Sequence, residues 1–138
     1  MERKYFTIEA AQKLLPKIQS LIIQLQQLQA GVDLINQVYI DPDKTSYEDY
    51  MSMDTQLSKK FHKLSYDFYC ELEKFDKMGI LIKDLDKGLV DFYTKFEGRD
   101  IFLCWQFGEE KIQFWHEIDE GFEGRQQIID LGEIKKEN

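Results

Sequence analysis

The stretch EKFDKMGILIKDLDKGLVDFYTKF, residues 73–96, decides the fold, because two hydrophobic periods meet inside it. Up to Phe75 the apolar residues recur every three or four positions, as on one face of a helix. From Ile80 onward they alternate, aromatic and β-branched residues crowd in, and glycines follow at short intervals. Gly79 stands at the change, where a left-handed residue would end the helix.

Upstream of that point the pattern is helical almost throughout. Tyr50, Met53, Leu57, Phe61, Leu64, Phe68, Leu72 and Phe75 form one stripe, with Ser46 placed to cap it. Leu14, Ile18, Leu21, Leu25, Leu28, Val32, Ile35 and Tyr39 form another, beginning after Thr7, a second capping residue. Pro16 lacks the N–H that a helix interior uses, so a kink is expected there. Between the stripes, Asp41-Pro42-Asp43 breaks one helix and favours a turn. Two long helices and a short connection predict an antiparallel helical hairpin over residues 7–79. Ala11, Leu15 and Ile22 widen the first stripe beyond what one neighbouring helix can cover. From Ile18 to Val32 there is no charge, only Ser20 and five glutamines among the polar positions. That face is either a solvated polar surface or an interface. The interface reading gives a homodimer in which two hairpins form a four-helix bundle.

Downstream, residues 80–130 read as an antiparallel meander followed by a returning segment. Leu89 to Phe96, Ile101 to Phe107 and Ile112 to Trp115 are the expected strands, with Ile80 to Ile82 as a further edge. Four-residue turns are expected at Glu97–Asp100 and Gly108–Lys111. Those turns put Val90, Phe92, Phe96, Ile101, Leu103, Trp105, Phe107, Ile112, Phe114 and His116 on one face, to be packed by the helices. Asp91, Tyr93, Phe102, Cys104, Gln106, Gln113, Trp115 and Glu117 fall on the other. The fold class is α+β, a long antiparallel helical hairpin packed on a small three- to four-stranded antiparallel sheet. A chain of 138 residues suits a single domain.

Composition narrows the functions. Eighteen basic against 26 acidic residues give a net charge of −8, with no basic cluster, which argues against nucleic acid and anionic lipid. No apolar run approaches the roughly 20 residues that span a bilayer, and the opening MERKYFTIEAAQ has no signal-peptide core, so a soluble cytoplasmic protein is expected. Two cysteines, Cys70 and Cys104, are too few for a disulfide framework.

The tract running through Lys83-Asp84-Leu85, Gly88-Leu89-Val90-Asp91-Phe92, Gly98-Arg99, Leu103-Cys104-Trp105, Gly108-Glu109, Trp115-His116 and Gly121-Phe122-Glu123-Gly124-Arg125-Gln126 resembles the prokaryotic domain-of-unknown-function family numbered 2203. The FTIEAAQKLLP opening resembles that family's first helix, so the likeness extends over nearly the whole chain. It implies no activity and no site residues.

Candidate chemistry therefore comes from the side chains themselves. Cys104, His116, Asp84, Asp91, Glu109 and Glu117 are of types that bind transition metals, but no CxxC, HxH or HExxH spacing occurs. The expected register also sends Cys104 and His116 to opposite faces, so no metal and no cofactor is expected, and no Cys–His nucleophile pair. Arg99 and Arg125 each follow a glycine in an acidic half, and a guanidinium fork there can hold a carboxylate or phosphate. Internal pairing with Asp91, Glu109, Glu117 or Asp119 is the alternative. The resulting expectation is a cytoplasmic binding or interaction module that dimerises through its helices. It would hold a small anionic ligand or peptide with Arg99, Arg125, Asp91, Trp115 and His116. The second expectation is a small, metal-assisted enzyme using Asp91, Glu109 and His116, with no catalytic residue assigned.

Overall fold

The computed structural model describes residues 3–128; the tail from Ile134 to Asn138, expected to fray, lies outside them. In chain order the elements are α1 (Ile8–Asn36), α2 (Tyr47–Met78), β1 (Ile80–Asp84), β2 (Leu89–Phe96), β3 (Arg99–Gln106), β4 (Phe114–Glu117), a 3-10 turn (Phe122–Gly124) and β5 (Gln126–Gln127). Both caps form, Thr7 Oγ1 accepting from Ala10 N and Ser46 Oγ from Asp49 N, each at 3.1 Å. The helix continues through Pro16. The chain divides into two compact units, one running Ile23–Glu73 and the other joining the chain up to Ile22 with that from Lys74 onward.

The Ile23–Glu73 unit holds the later part of α1, most of α2 and the connection between them. Asp41 closes the turn, its Oδ1 accepting from Asp43 N at 2.9 Å. The helices run antiparallel, since a Cβ at Gly31 would lie 3.2 Å from Leu64 and residues 24–28 meet residues 67–71. Leu25 is fully buried, whereas Leu28, Val32, Ile35, Leu57, Phe61, Leu64, Phe68 and Leu72 are only half-buried.

The other unit holds a five-stranded antiparallel meander in the order β1-β2-β3-β4-β5. One sheet face carries Val90, Phe92, Phe96, Ile101, Leu103 and Trp105, packed with Ala11, Leu15, Ile18 and Ile22 of α1 and Phe75 of α2 in one core. Phe6, just before α1, meets Phe92 edge-on with ring centroids 5.4 Å apart. β2 and β3 are joined by two residues, Glu97 (φ 52°) and Gly98 (φ 74°), a conformation that matches strand twist. The expected turn was four residues long. Shortening it by an even number leaves every side chain on its expected face, and Phe92 pairs with Leu103 as the alternation requires.

β4 does not keep its expected face. Leu103 pairs with Trp115 and Cys104 with Phe114, while residues 107–113 form the connection. An odd change in pairing reverses a whole strand. Trp115 therefore joins the helix-facing core, and Phe114 and His116 turn to the opposite face beside Cys104. The cause lies in the partners the connection finds. Ile112 N donates to Gln12 Oε1 of α1 at 2.8 Å, which keeps Ile112 out of the sheet. Glu109 turns back, its carboxylate accepting from Gln106 N at 2.7 Å and its carbonyl from Trp105 Nε1 at 2.9 Å. β1 is the anticipated edge strand, and the returning segment supplies β5, pairing Trp115 with Gln126.

Gly88 and Gly98 both have positive φ, at 66° and 74°, but only Gly88 is crowded: a Cβ there would stand 2.4 Å from Phe107 Cβ. Gly98→Ala should cost about 1 kcal/mol, the backbone strain alone. Gly88→Ala adds overpacking and should cost about 2–4 kcal/mol. Denaturant midpoints at equal slope measure the difference, and equal losses would refute the packing account.

Candidate functional site

Three neighbouring strands place unlike side chains on the sheet face turned away from the helices. Asp91 of β2 pairs with Cys104 of β3, and His116 of β4 pairs with Phe102, one alternation along from Cys104. All three are buried, none more than 2% exposed. The His116 ring reaches across β3, placing Nε2 3.1 Å from both carboxylate oxygens of Asp91. Its Nδ1 donates to the Glu117 carbonyl at 2.8 Å, which fixes the ring orientation. Phe102 stacks beside His116 at 5.4 Å and Tyr93 beside Phe102 at 4.6 Å, extending the row along the sheet.

The electrostatics follow from that geometry. Burial disfavours an imidazolium, yet the Asp91 carboxylate and the Glu117 carbonyl together outweigh it and hold His116 above its ordinary range. Cys104 is pushed up to about 12, first by burial and then by the Asp91 charge, with Arg125 only partly opposing. His116 Nε2 and the Asp91 carboxylate thus lie at hydrogen-bond distance beside a thiol that stays protonated at neutral pH. Such a thiol is a poor nucleophile.

Arg125 lies next to this cluster. Its Nη2 donates to Glu109 Oε1 at 2.7 Å and Oε2 at 3.0 Å, and lies 3.5 Å from the Cys104 carbonyl. Phe114 and Phe122 lie against the guanidinium, their ring centroids 4.0 and 4.7 Å from its carbon. Phe122 and Arg125 both belong to the returning segment, which meets the sheet through Arg125 and Gln126, while the Phe122 ring stays 45% exposed. Arg99 belongs elsewhere: its Nη2 meets Glu117 Oε1 at 2.6 Å and its Nη1 meets Glu97.

Of the five residues expected to bind a ligand, the structure joins Asp91 and His116 directly and brings Arg125 near them. Strand alternation assigns Arg99 and Trp115 to the opposite face. Glu109, the third member of the enzyme reading, is held by Arg125 and the Gln106 amide rather than by Asp91 or His116. The member that the expected register separated from the cluster is His116. Its position follows from the odd pairing of β4, which the alternation of Ile112, Phe114 and His116 does not signal.

The family model described as "Uncharacterized conserved protein (DUF2203)" matches residues 4–128. The chain belongs to this family. No curated protein and no solved structure matches it. The match takes in every residue of the cluster and both arginines. Among the described residues, no helix of this DUF2203 chain is long and apolar enough to cross a membrane.

Two outcomes follow for the site. Arg125→Ala leaves Glu109 without its main partner and should cost on the order of 3 kcal/mol of stability, whereas Arg125→Lys should retain part of it; a loss in the alanine variant below about 0.5 kcal/mol would contradict the pairing. A thiol reagent near neutral pH should modify exposed Cys70 quickly and leave buried Cys104 intact until the protein unfolds. Intact mass then shows a single adduct, and two adducts forming at the same rate would overturn the assignment.

Proposed function

We propose that this DUF2203 chain is an interaction module that assembles with a second copy through its helical hairpin, as a soluble cytoplasmic protein. The observation that carries the reading is the mismatch between the hairpin's apolar content and its burial. Within Ile23–Glu73 only Leu25 is fully buried, while the rest of the two stripes is half-covered at best. Two helices alone offer little core, and most helical stability in proteins comes from packing an apolar face against further elements.

The outward face of α1 supports the same reading. Ser20, Ile23, Gln27, Ala30 and Leu34 are exposed and follow at helical spacing, with Ile23 41% and Leu34 65% exposed. No charge interrupts this face before Asp33. Neutral amide and small side chains can be buried against a twin with their hydrogen bonds satisfied, whereas a like charge meeting itself across a twofold axis would be repelled.

A small anion or peptide at the sheet has weaker support. Any such ligand must displace Glu109 from Arg125 or Glu117 from Arg99, both within the same chain.

Sedimentation should give about twice the chain mass of 16.5 kDa at micromolar concentration. Ile23→Glu with Leu34→Glu should shift it to the monomer with helix content retained, since neither side chain belongs to the buried core. A wild-type mass of one chain at every concentration would defeat the proposal.

A further inference from the structure

Asp91, Cys104 and His116 offer one oxygen, one sulfur and one nitrogen, and these ligand atoms all lie within 4.8 Å of one another. They come from three adjacent strands of one sheet, so the hydrogen-bonded backbone holds them rather than a loop. The His116 ring is set for coordination: Nδ1 is engaged by the Glu117 carbonyl and Nε2 points at the other donors. Ligating histidines are oriented by this kind of bond from the second ring nitrogen.

We infer that Asp91, Cys104 and His116 form a binding site for a divalent cation of the zinc class. Oxygen, sulfur and nitrogen donors in one set suit Zn²⁺ or Co²⁺. Magnesium and calcium require six or more oxygens, and this cluster supplies a single carboxylate. Charge balance points the same way. A carboxylate, a thiolate and a neutral imidazole around a divalent ion sum to zero, the net charge a buried site tolerates best. On coordination the thiol proton of Cys104 and the Nε2 proton of His116 pass to solvent, and the ion takes the electron pairs they leave. Three protein ligands leave the fourth tetrahedral position to a water. Arg125, nearby with its charge shared by Glu109, does not enter the donor set.

The site is independent of the assembly proposed above, and the test separates the two. The chain has only two cysteines, and Cys70 is exposed in the other unit. In a Cys70→Ala protein, any thiolate-to-cobalt charge-transfer absorption must therefore arise at Cys104. Metal-free Cys70→Ala titrated with Co²⁺ should develop this near-ultraviolet band with about one equivalent bound. Zn²⁺ should displace the cobalt and raise the melting midpoint, and Mg²⁺ in excess should do neither. His116→Gln in the same background should weaken cobalt binding at least about tenfold. Absence of the charge-transfer band in folded Cys70→Ala protein, or a melting midpoint raised equally by Mg²⁺ and Zn²⁺, would overturn the site.

Discussion

The pairing of Leu103 with Trp115 governs what the sheet can do, because side chains on neighbouring strand positions must point to opposite faces. With that pair on the helix-facing side, His116 turns away from the helices and toward Asp91. Moved by one residue, the same strand would turn His116 to the helix-facing side and leave Trp115 on the other. The choice rests on the seven residues before β4. Gln12 binds the Ile112 amide and Glu109 binds the Gln106 amide, so the connection is anchored at both ends before the strand begins.

The same constraint sorts the polar chemistry by sheet face. Arg99 and Glu117 occupy positions whose alternation puts them with Leu103, and they form a partly exposed ion pair at the sheet's end. Asp91, Cys104 and His116 share the other face and are buried. A buried carboxylate requires a hydrogen-bond partner, and His116 Nε2 supplies one. The guanidinium of Arg125 is committed to Glu109 instead. The two arginines that look equivalent in the sequence, each after a glycine, thus have different roles: one closes a sheet end and the other holds the β3–β4 connection beneath two aromatic rings.

Much of the architecture was legible in the residues. The eight-position stripes, the capping residues Thr7 and Ser46 and the change of period at Gly79 gave two helices followed by a sheet. The β2–β3 pairing was also legible, because the error in its turn was even and cancelled in the alternation. For β4 the alternation was misleading. Ile112 and Phe114 read as two inward positions of a strand, but Ile112 lies in the connection with its amide bonded to Gln12, and the Phe114 ring lies against Arg125 on the other face. Asp91 and His116 were visible as candidates by residue type. Their contact was not, since it depends on an amide in residues 107–113 finding a glutamine on the first helix. The return of Gln126 onto Trp115 left no periodic signal either, being two residues long.

That link from Gln12 to Ile112 has a consequence for how the chain reaches its native state. The meander pairs only strands adjacent in sequence, so its loops are short and can close early. The partner of Gln12, by contrast, lies 100 residues downstream. During synthesis Ala11, Leu15 and Ile18 leave the ribosome long before the sheet they cover exists, and their apolar face stays open to any other surface for that interval. α1 is made before the strands that cover it.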